Sequence, residues 1–269
     1  MIQNAAKYWA VLKLTWIRTL EYKANAFVGL FAIISGIAIE YLIWIQIFAT
    51  QKITEIRGFT FIELMIYLYL SIIVGQLKSS WQTSQEMIDD IRNGGLNRYL
   101  VRPISYFWYN FSLFIGHNSL YYIIYGLLIL IAPFIFPAYL FQNYFHIFGF
   151  LLALILSIFL SYSVYFFMVG FAFWFGEVRS LITAYNLANV ILAGQMVPLS
   201  FFPAKMQYVL SFTPIPYLVD FPVSIATSRL DMSLWPMGFL KLSVWIVVIY
   251  IAGQIVYRIG IRKYGAFGA

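Results

Sequence analysis

Residues 59–77 read FTFIELMIYLYLSIIVGQL, and residues 78–108 continue as KSSWQTSQEMIDDIRNGGLNRYLVRPISYFW. The first stretch carries a single charged residue, Glu63, in nineteen positions. A helix of about twenty apolar residues matches the ~30 Å hydrocarbon core of a bilayer. The second stretch holds Lys78, Arg92, Arg98 and Arg102 before apolar sequence resumes. An apolar span followed by a basic gap is the pattern of a helix that leaves the membrane on its cytoplasmic side.

The pattern repeats in both directions. It predicts an all-α integral membrane protein with six transmembrane helices, at 25–48, 59–77, 109–132, 146–175, 181–197 and 234–256. Of the 17 lysines and arginines, twelve fall in the N-terminal segment, the 78–108 gap, the turn at Arg179 and the C-terminal tail. The other five, Lys52, Arg57, Lys205, Arg229 and Lys241, fall on the opposite side. This bias puts both termini in the cytoplasm of a multi-pass protein of a prokaryotic plasma (inner) membrane.

Only 10% of residues are charged, against ~25% in soluble domains, which excludes a soluble enzyme. Six spans occupy roughly half the chain, so 1–269 reads as a single transmembrane domain without a separate soluble one. The net charge of +7 reads as contact with anionic membrane lipids and not with nucleic acid. There is no cysteine, which removes disulfides, thiolate chemistry and cysteine metal sites. Two histidines, His117 and His146, are too few and too far apart for a metal centre. Lys7, Lys13, Arg18 and Lys23 precede a span-length apolar run with no small-residue exit, which is not a cleavable signal.

Three gaps have their own pattern. Residues 4–22 form an amphipathic helix with Trp9, Leu12, Trp16 and Leu20 on one face, expected to lie at the membrane surface or to pack on its own protein. In 78–108, Trp81, Ser84, Ile88 and Ile91 share a helical face, while Glu86, Asp89, Asp90 and Arg92 lie elsewhere. Gly94 and Gly95 stop that helix, which reads equally as a docking element or a solvated connector. Residues 198–231 contain Pro198, Pro203, Pro214, Pro216 and Pro222, yet stay apolar through Phe201, Phe202 and Phe212. Proline at this density breaks helices, and so much apolar surface needs cover, so the segment predicts an outer re-entrant helical hairpin, 204–212 and 217–229.

Phosphate-loop, zinc-protease, nucleophile-elbow and CxxC patterns are absent, so no catalytic residue, bound cofactor or metal site is expected in this chain. Glu40, His117, Asn118 and Asn186 are polar groups within spans. Such groups line a path or bond neighbouring helices, the latter being the commoner role.

Three motifs resemble the ABC-2-type transporter permeases, in their six-span exporter group of uncharacterised substrate. Ile91-Arg92-Asn93-Gly94-Gly95-Leu96-Asn97-Arg98-Tyr99-Leu100-Val101-Arg102-Pro103-Ile104-Ser105 is similar to the family's stretch after the second span. Gly194-Gln195-Met196-Val197-Pro198-Leu199-Ser200-Phe201-Phe202-Pro203 resembles the motif closing the fifth, with Pro214-Ile215-Pro216-Tyr217 as its sequel. The opening Leu20–Asn25 and the closing Arg262–Gly268 look typical as well. The resemblance implies a cytoplasmic coupling helix at about 84–92, with Glu86, Ile88, Asp89, Asp90, Ile91 and Arg92 coupling to an ATPase. It implies an outer gate at Pro198, Phe201, Phe202, Pro203, Pro214 and Pro216. The implied partners are a dimer of separate ABC ATPases, which carry the ATP and Mg, and a second permease in a homodimer or heterodimer. Two other classes compete with an exporter: a non-transporting scaffold or sensor, and a proton-driven transporter using Glu40.

Overall fold

The computed structural model describes residues 2–21 and 23–264, with side chains described at 6–20, 31 and 33–264. The side chains of 21–25 in the opening motif, residues 265–268 of the closing one, and the side chain at the expected start of the first span, Asn25, fall outside it. The helices are α1 (Ile2–Glu21), α2 (Lys23–Gln51), α3 (Phe61–Leu77), α4 (Trp81–Arg92), α5 (Asn97–Leu100), α6 (Tyr106–Ile135), α7 (Tyr144–Gly170) and α8 (Ala172–Phe175). They continue as α9 (Arg179–Leu192), α10 (Ala204–Leu210), α11 (Asp220–Ala226) and α12 (Trp235–Lys263). A two-residue hairpin, β1 (Glu55–Ile56) and β2 (Phe59–Thr60), precedes α3.

Among the described residues five stretches are long and apolar enough to cross a membrane: Ile33–Gln51, Phe61–Arg92, Tyr106–Ile135, Tyr144–Phe175 and Met232–Lys263. They match the expected first, second, third, fourth and sixth spans. The expected fifth does not reach span length. Instead of running 181–197, α9 is 14 residues long, about 21 Å, and the chain turns at Gly194 with φ +85.

Shape complementarity between α7 and α12 builds the centre of the fold. Along α7, Gly149, Ala153, Ser157 and Ser161 recur every fourth residue, so they share one face, and all four are buried. Small residues let helix backbones approach closely. A Cβ on Gly149 would stand 2.5 Å from the Trp235 ring, and one on Gly170 would stand 2.5 Å from Val256 Cγ1. At the inner end Phe107 is ringed edge-on by Tyr162, Phe166 and Tyr250, and Tyr106 stacks on Tyr257 at 5.3 Å.

The same face of α7 supplies hydroxyls where neighbouring segments break. Ser161 Oγ donates to the Lys78 carbonyl at 2.9 Å, and Asn118 Nδ2 donates to the Ser79 carbonyl at 3.0 Å. These close the carbonyls left open where α3 stops. Ser157 Oγ donates to the Tyr217 carbonyl at 2.6 Å, tying α7 to the proline-rich segment. An open carbonyl in hydrocarbon costs several kcal/mol, so each break needs such a partner.

The N-terminal helix packs on its own protein. Thr15 is buried against Gly116 of α6, and Tyr8 Oη accepts the Ser105 N–H at 3.0 Å. The expected single apolar face is therefore split: Leu12 and Trp16 are half-buried, while Trp9 and Leu20 stay exposed beside Leu14 and Ile17. Thr15 and Thr19 spend their hydroxyls on the carbonyls of Val11 and Thr15, so they suit a tight helix contact despite being polar.

Replacing Gly149 by leucine should displace the Trp235 ring and lower the thermal midpoint by several degrees, the scale of a forced core clash. Gly126→Leu on α6, where an added Cβ meets nothing within 4 Å, should leave it within a degree or so. Size-exclusion thermostability of the purified protein measures both, and equal midpoints would contradict the packing role of Gly149.

Candidate functional site

Two polar clusters stand at opposite ends of α9. The first centres on α4. Its buried face is Thr83, Ser84, Met87, Ile88, Asp90 and Ile91, and Trp81, Gln82, Asp89 and Arg92 are exposed. Gly94 ends the helix in a left-handed conformation at φ +79, and a Cβ on Gly95 would lie 2.6 Å from Asp90 Oδ1. The pair of glycines that stops the helix thus also makes room for a carboxylate.

Arg179, the first residue of α9, joins this helix to α4. Its guanidinium donates to Asp89 Oδ1 at 2.6 Å, to Gln85 Oε1 at 2.6 Å and to Glu177 Oε2 at 2.7 Å. Arg92 meets the same Glu177 oxygen at 2.8 Å. Asp90 is taken by Arg98 at 2.6 Å and by the Tyr106 hydroxyl at 3.4 Å. Glu86 lies 3.6 Å from His117 Nε2, and Thr83 Oγ1 lies 3.2 Å from His117 Nδ1. The six residues grouped by sequence therefore divide. Ile88, Ile91 and Asp90 face into the protein, Glu86 is turned to α6, and Asp89 and Arg92 form the exposed salt-bridged edge.

The polar residues within spans do not converge. Asn118 caps the α3 break, Asn186 accepts the Tyr165 hydroxyl, and His117 faces α4. Among the described residues no hydrogen bond or ion pair joins Glu40 on α2 to any of them, and its Oε2 is buried without a partner. For His117 and Asn186 the contact is between helices, and for Asn118 it is to the connection between α3 and α4.

The second cluster forms where α9 stops. A Cβ on Gly194 would lie 2.7 Å from the Tyr67 hydroxyl and 3.2 Å from Asp220 Cβ. Only glycine fits that approach at φ +85. Asp220 N–H donates to the Ala193 carbonyl at 3.1 Å, closing the end of α9. Its carboxylate accepts the Tyr67 hydroxyl of α3 at 2.5 Å. Sequence reading missed this residue. Its signal was present, since Asp220 is the sole acidic residue between Glu177 and Asp231.

The prolines shape the roof over this node. Pro198 is buried and opens a single 3-10 turn, Leu199–Phe201, and Pro203 precedes α10. Pro214 and Pro216 form the turn into α11. Phe201 meets Trp44 of α2 and Phe59 edge-on at 5.8 and 5.6 Å, whereas Phe202 is half-buried and makes no ring pair among the described residues. The two short helices differ: α11 is buried, while Tyr208, Val209 and Phe212 around α10 are exposed. Beneath them lies a cavity of about 510 Å³ lined by residues that include Tyr67, Asp220, Arg57, Arg229 and Lys241. Among the described residues no three His, Asp or Glu side chains gather to hold a metal ion.

A family model described as ABC-2 family transporter protein matches residues 33–268. This chain belongs to the ABC-2 transporter family. A comparison with curated proteins found no match. Membership makes the chain a multi-pass transport protein of the permease kind, and such ABC-2 permeases generally partner with ATPases. The matched region of this ABC-2 protein holds both clusters and leaves α1 outside.

Replacing Tyr67 by phenylalanine should leave the Asp220 carboxylate without its hydroxyl partner and lower the thermal midpoint by a few degrees, the scale of a lost hydrogen bond to a charged group. Midpoints measured in nanodiscs test this, and an unchanged midpoint would contradict it.

Proposed function

We propose that this chain is the transmembrane permease subunit of an ATP-binding-cassette exporter, pairing with a second permease around a path driven by separate ATPase subunits. The observation that carries the proposal is α9 as a link between the two clusters. At one end Arg179 holds α4 through Asp89 and Gln85; at the other the Ala193 carbonyl holds Asp220. A push on α4 from a cytoplasmic ATPase has a short, bonded route to the outer hairpin.

The same link supports a six-span topology with both termini cytoplasmic. The ~21 Å of α9 falls about 9 Å short of a ~30 Å core. Tyr67, which meets the end of α9 through Asp220, stands six residues into α3, and that is also about 9 Å below its outer end. The hairpin 198–231 then completes the crossing. Glu86, Asp89 and Arg92 offer polar groups to an ATPase groove from below, with Ile88, Ile91 and Asp90 anchoring the helix from within. Pro198, Phe201, Phe202, Pro203, Pro214 and Pro216 set the hairpin that closes the outer end. ATP and Mg belong to the partner, and the membrane is a prokaryotic plasma membrane.

Exposed ion pairs stabilise by roughly 0.2–1 kcal/mol each, so the Arg179 network serves position more than stability. In the complex with its ATPase, Arg179→Gln should shift the thermal midpoint by only a few degrees and retain co-purification. Transport per ATP hydrolysed should fall about tenfold, the effect of losing ~1.4 kcal/mol of coupling. Combining Asp89→Asn with it should add little further. Unchanged transport per ATP would contradict the coupling role, and failure of any ATPase to co-purify would contradict the permease.

A further inference from the structure

The cavity under the hairpin has an uneven chemistry. Its deep side is the Tyr67–Asp220 hydrogen bond. Much of its wall is apolar, through Phe59, Leu199, Phe221 and Met237. Three cations reach it from three elements. Arg229, just after α11, is committed to Glu63 at 3.1 Å and to the Gly58 carbonyl at 2.8 Å. Arg57 on the β1–β2 turn and Lys241 on α12 are exposed and form no ion pair among the described residues.

Its volume, about 510 Å³, falls within the ~300–1,000 Å³ typical of ligand sites. A cationic ligand is repelled by Arg57 and Lys241, and the one deep carboxylate is already taken by the Tyr67 hydroxyl. A small hydrophilic anion would leave the apolar wall uncovered. A neutral apolar ligand would leave two cations without a partner beside it. A molecule with an acidic head and an apolar body satisfies both.

We propose that this cavity binds an anionic amphiphile, its phosphate or carboxylate head between Arg57 and Lys241 and its apolar body over Phe59, Leu199, Phe221 and Met237. Asp220 on the deep side orients it, since a carboxylate there repels an acidic head and turns it toward Arg57 and Lys241. The role of the site in export rests on the permease reading, whereas the binding itself does not. The head chemistry is shared by membrane phospholipids and lipid-like cargo, and free phosphate has the head alone.

The test uses the full chain in phosphatidylcholine nanodiscs carrying a trace of phosphatidylglycerol with a photoreactive acyl chain. Cross-linked peptides are mapped by mass spectrometry. Labelling should concentrate on 198–241 and fall about tenfold or more in Arg57→Asn/Lys241→Gln, given ~1 kcal/mol for each cation near a lipid surface. Asparagine accepts the φ of +51 at position 57, and an unchanged elution volume and melting midpoint verify the fold. Photoreactive phosphatidylcholine should label the same peptides about tenfold less. Equal labelling by the two lipids, or unchanged labelling in the double variant, would overturn the site. Full competition by millimolar inorganic phosphate would overturn the amphiphile in favour of free phosphate. Displacement of the labelled lipid by an exported amphiphile would identify the bound head as cargo, and its retention would identify membrane lipid; both agree with the proposal. The absence of a co-purifying ATPase would remove the permease reading and leave these labelling results unchanged.

Discussion

Hydrocarbon offers no partner to a backbone carbonyl, and this protein interrupts its apolar helices after α3 and again between α9 and α11. Each break is therefore placed where another helix can answer it. Ser161 on α7 answers Lys78, Asn118 on α6 answers Ser79, Ser157 answers Tyr217, and Asp220 N–H answers Ala193. Because Ser157 and Ser161 extend the Gly149–Ala153 face, one stripe of small side chains both admits close packing and supplies the hydroxyls. The helix α4 and the proline-rich segment 198–231 hang from that stripe. Larger residues there would push α11 and the α3–α4 junction away from α7, and apolar ones of the same size would leave carbonyls open.

From this follows a division between rigid and adjustable parts. The α7–α12 pair is locked by ring-to-glycine contacts and by the aromatic cluster around Phe107. The link from α4 through α9 to Asp220 is held by salt bridges, one backbone hydrogen bond and a single tyrosine. Such contacts are individually weak and exchangeable with water at their exposed edges, which suits an element that shifts between states. Asp220 sits at the far end as a carboxylate in a largely apolar roof.

Much of the fold was legible in the chain because the bilayer imposes length and charge rules that a single sequence displays. Five apolar helices of span length, the α4 helix with its glycine stop, and the helix breaks at the prolines of 198–231 all follow from such local rules. The shortness of α9 was not legible, since its apolar sequence runs on through Val197 and only the close approach of Tyr67 and Asp220 demands a turn at Gly194. The packing of α1 was hidden for a similar reason. Trp9 and Leu20 read as one apolar face, but Gly116 sits opposite Thr15. The pairing of Asp89 with Arg179 spans ninety positions, and no local pattern announces it. Asp220 announced itself by isolation alone, and its tyrosine partner came from a helix 153 residues earlier.

The central claim is that α9 carries movement from the coupling helix to the outer hairpin. The absence of native cysteine allows spin labels at Lys205→Cys on α10 and Leu240→Cys on α12, in the complex with its ATPase. Pulsed electron–electron resonance would read their separation with and without a non-hydrolysable ATP analogue. The proposed link predicts a shift of several ångström in the parent and its loss in Arg179→Gln. A shift of the same size in both would contradict it.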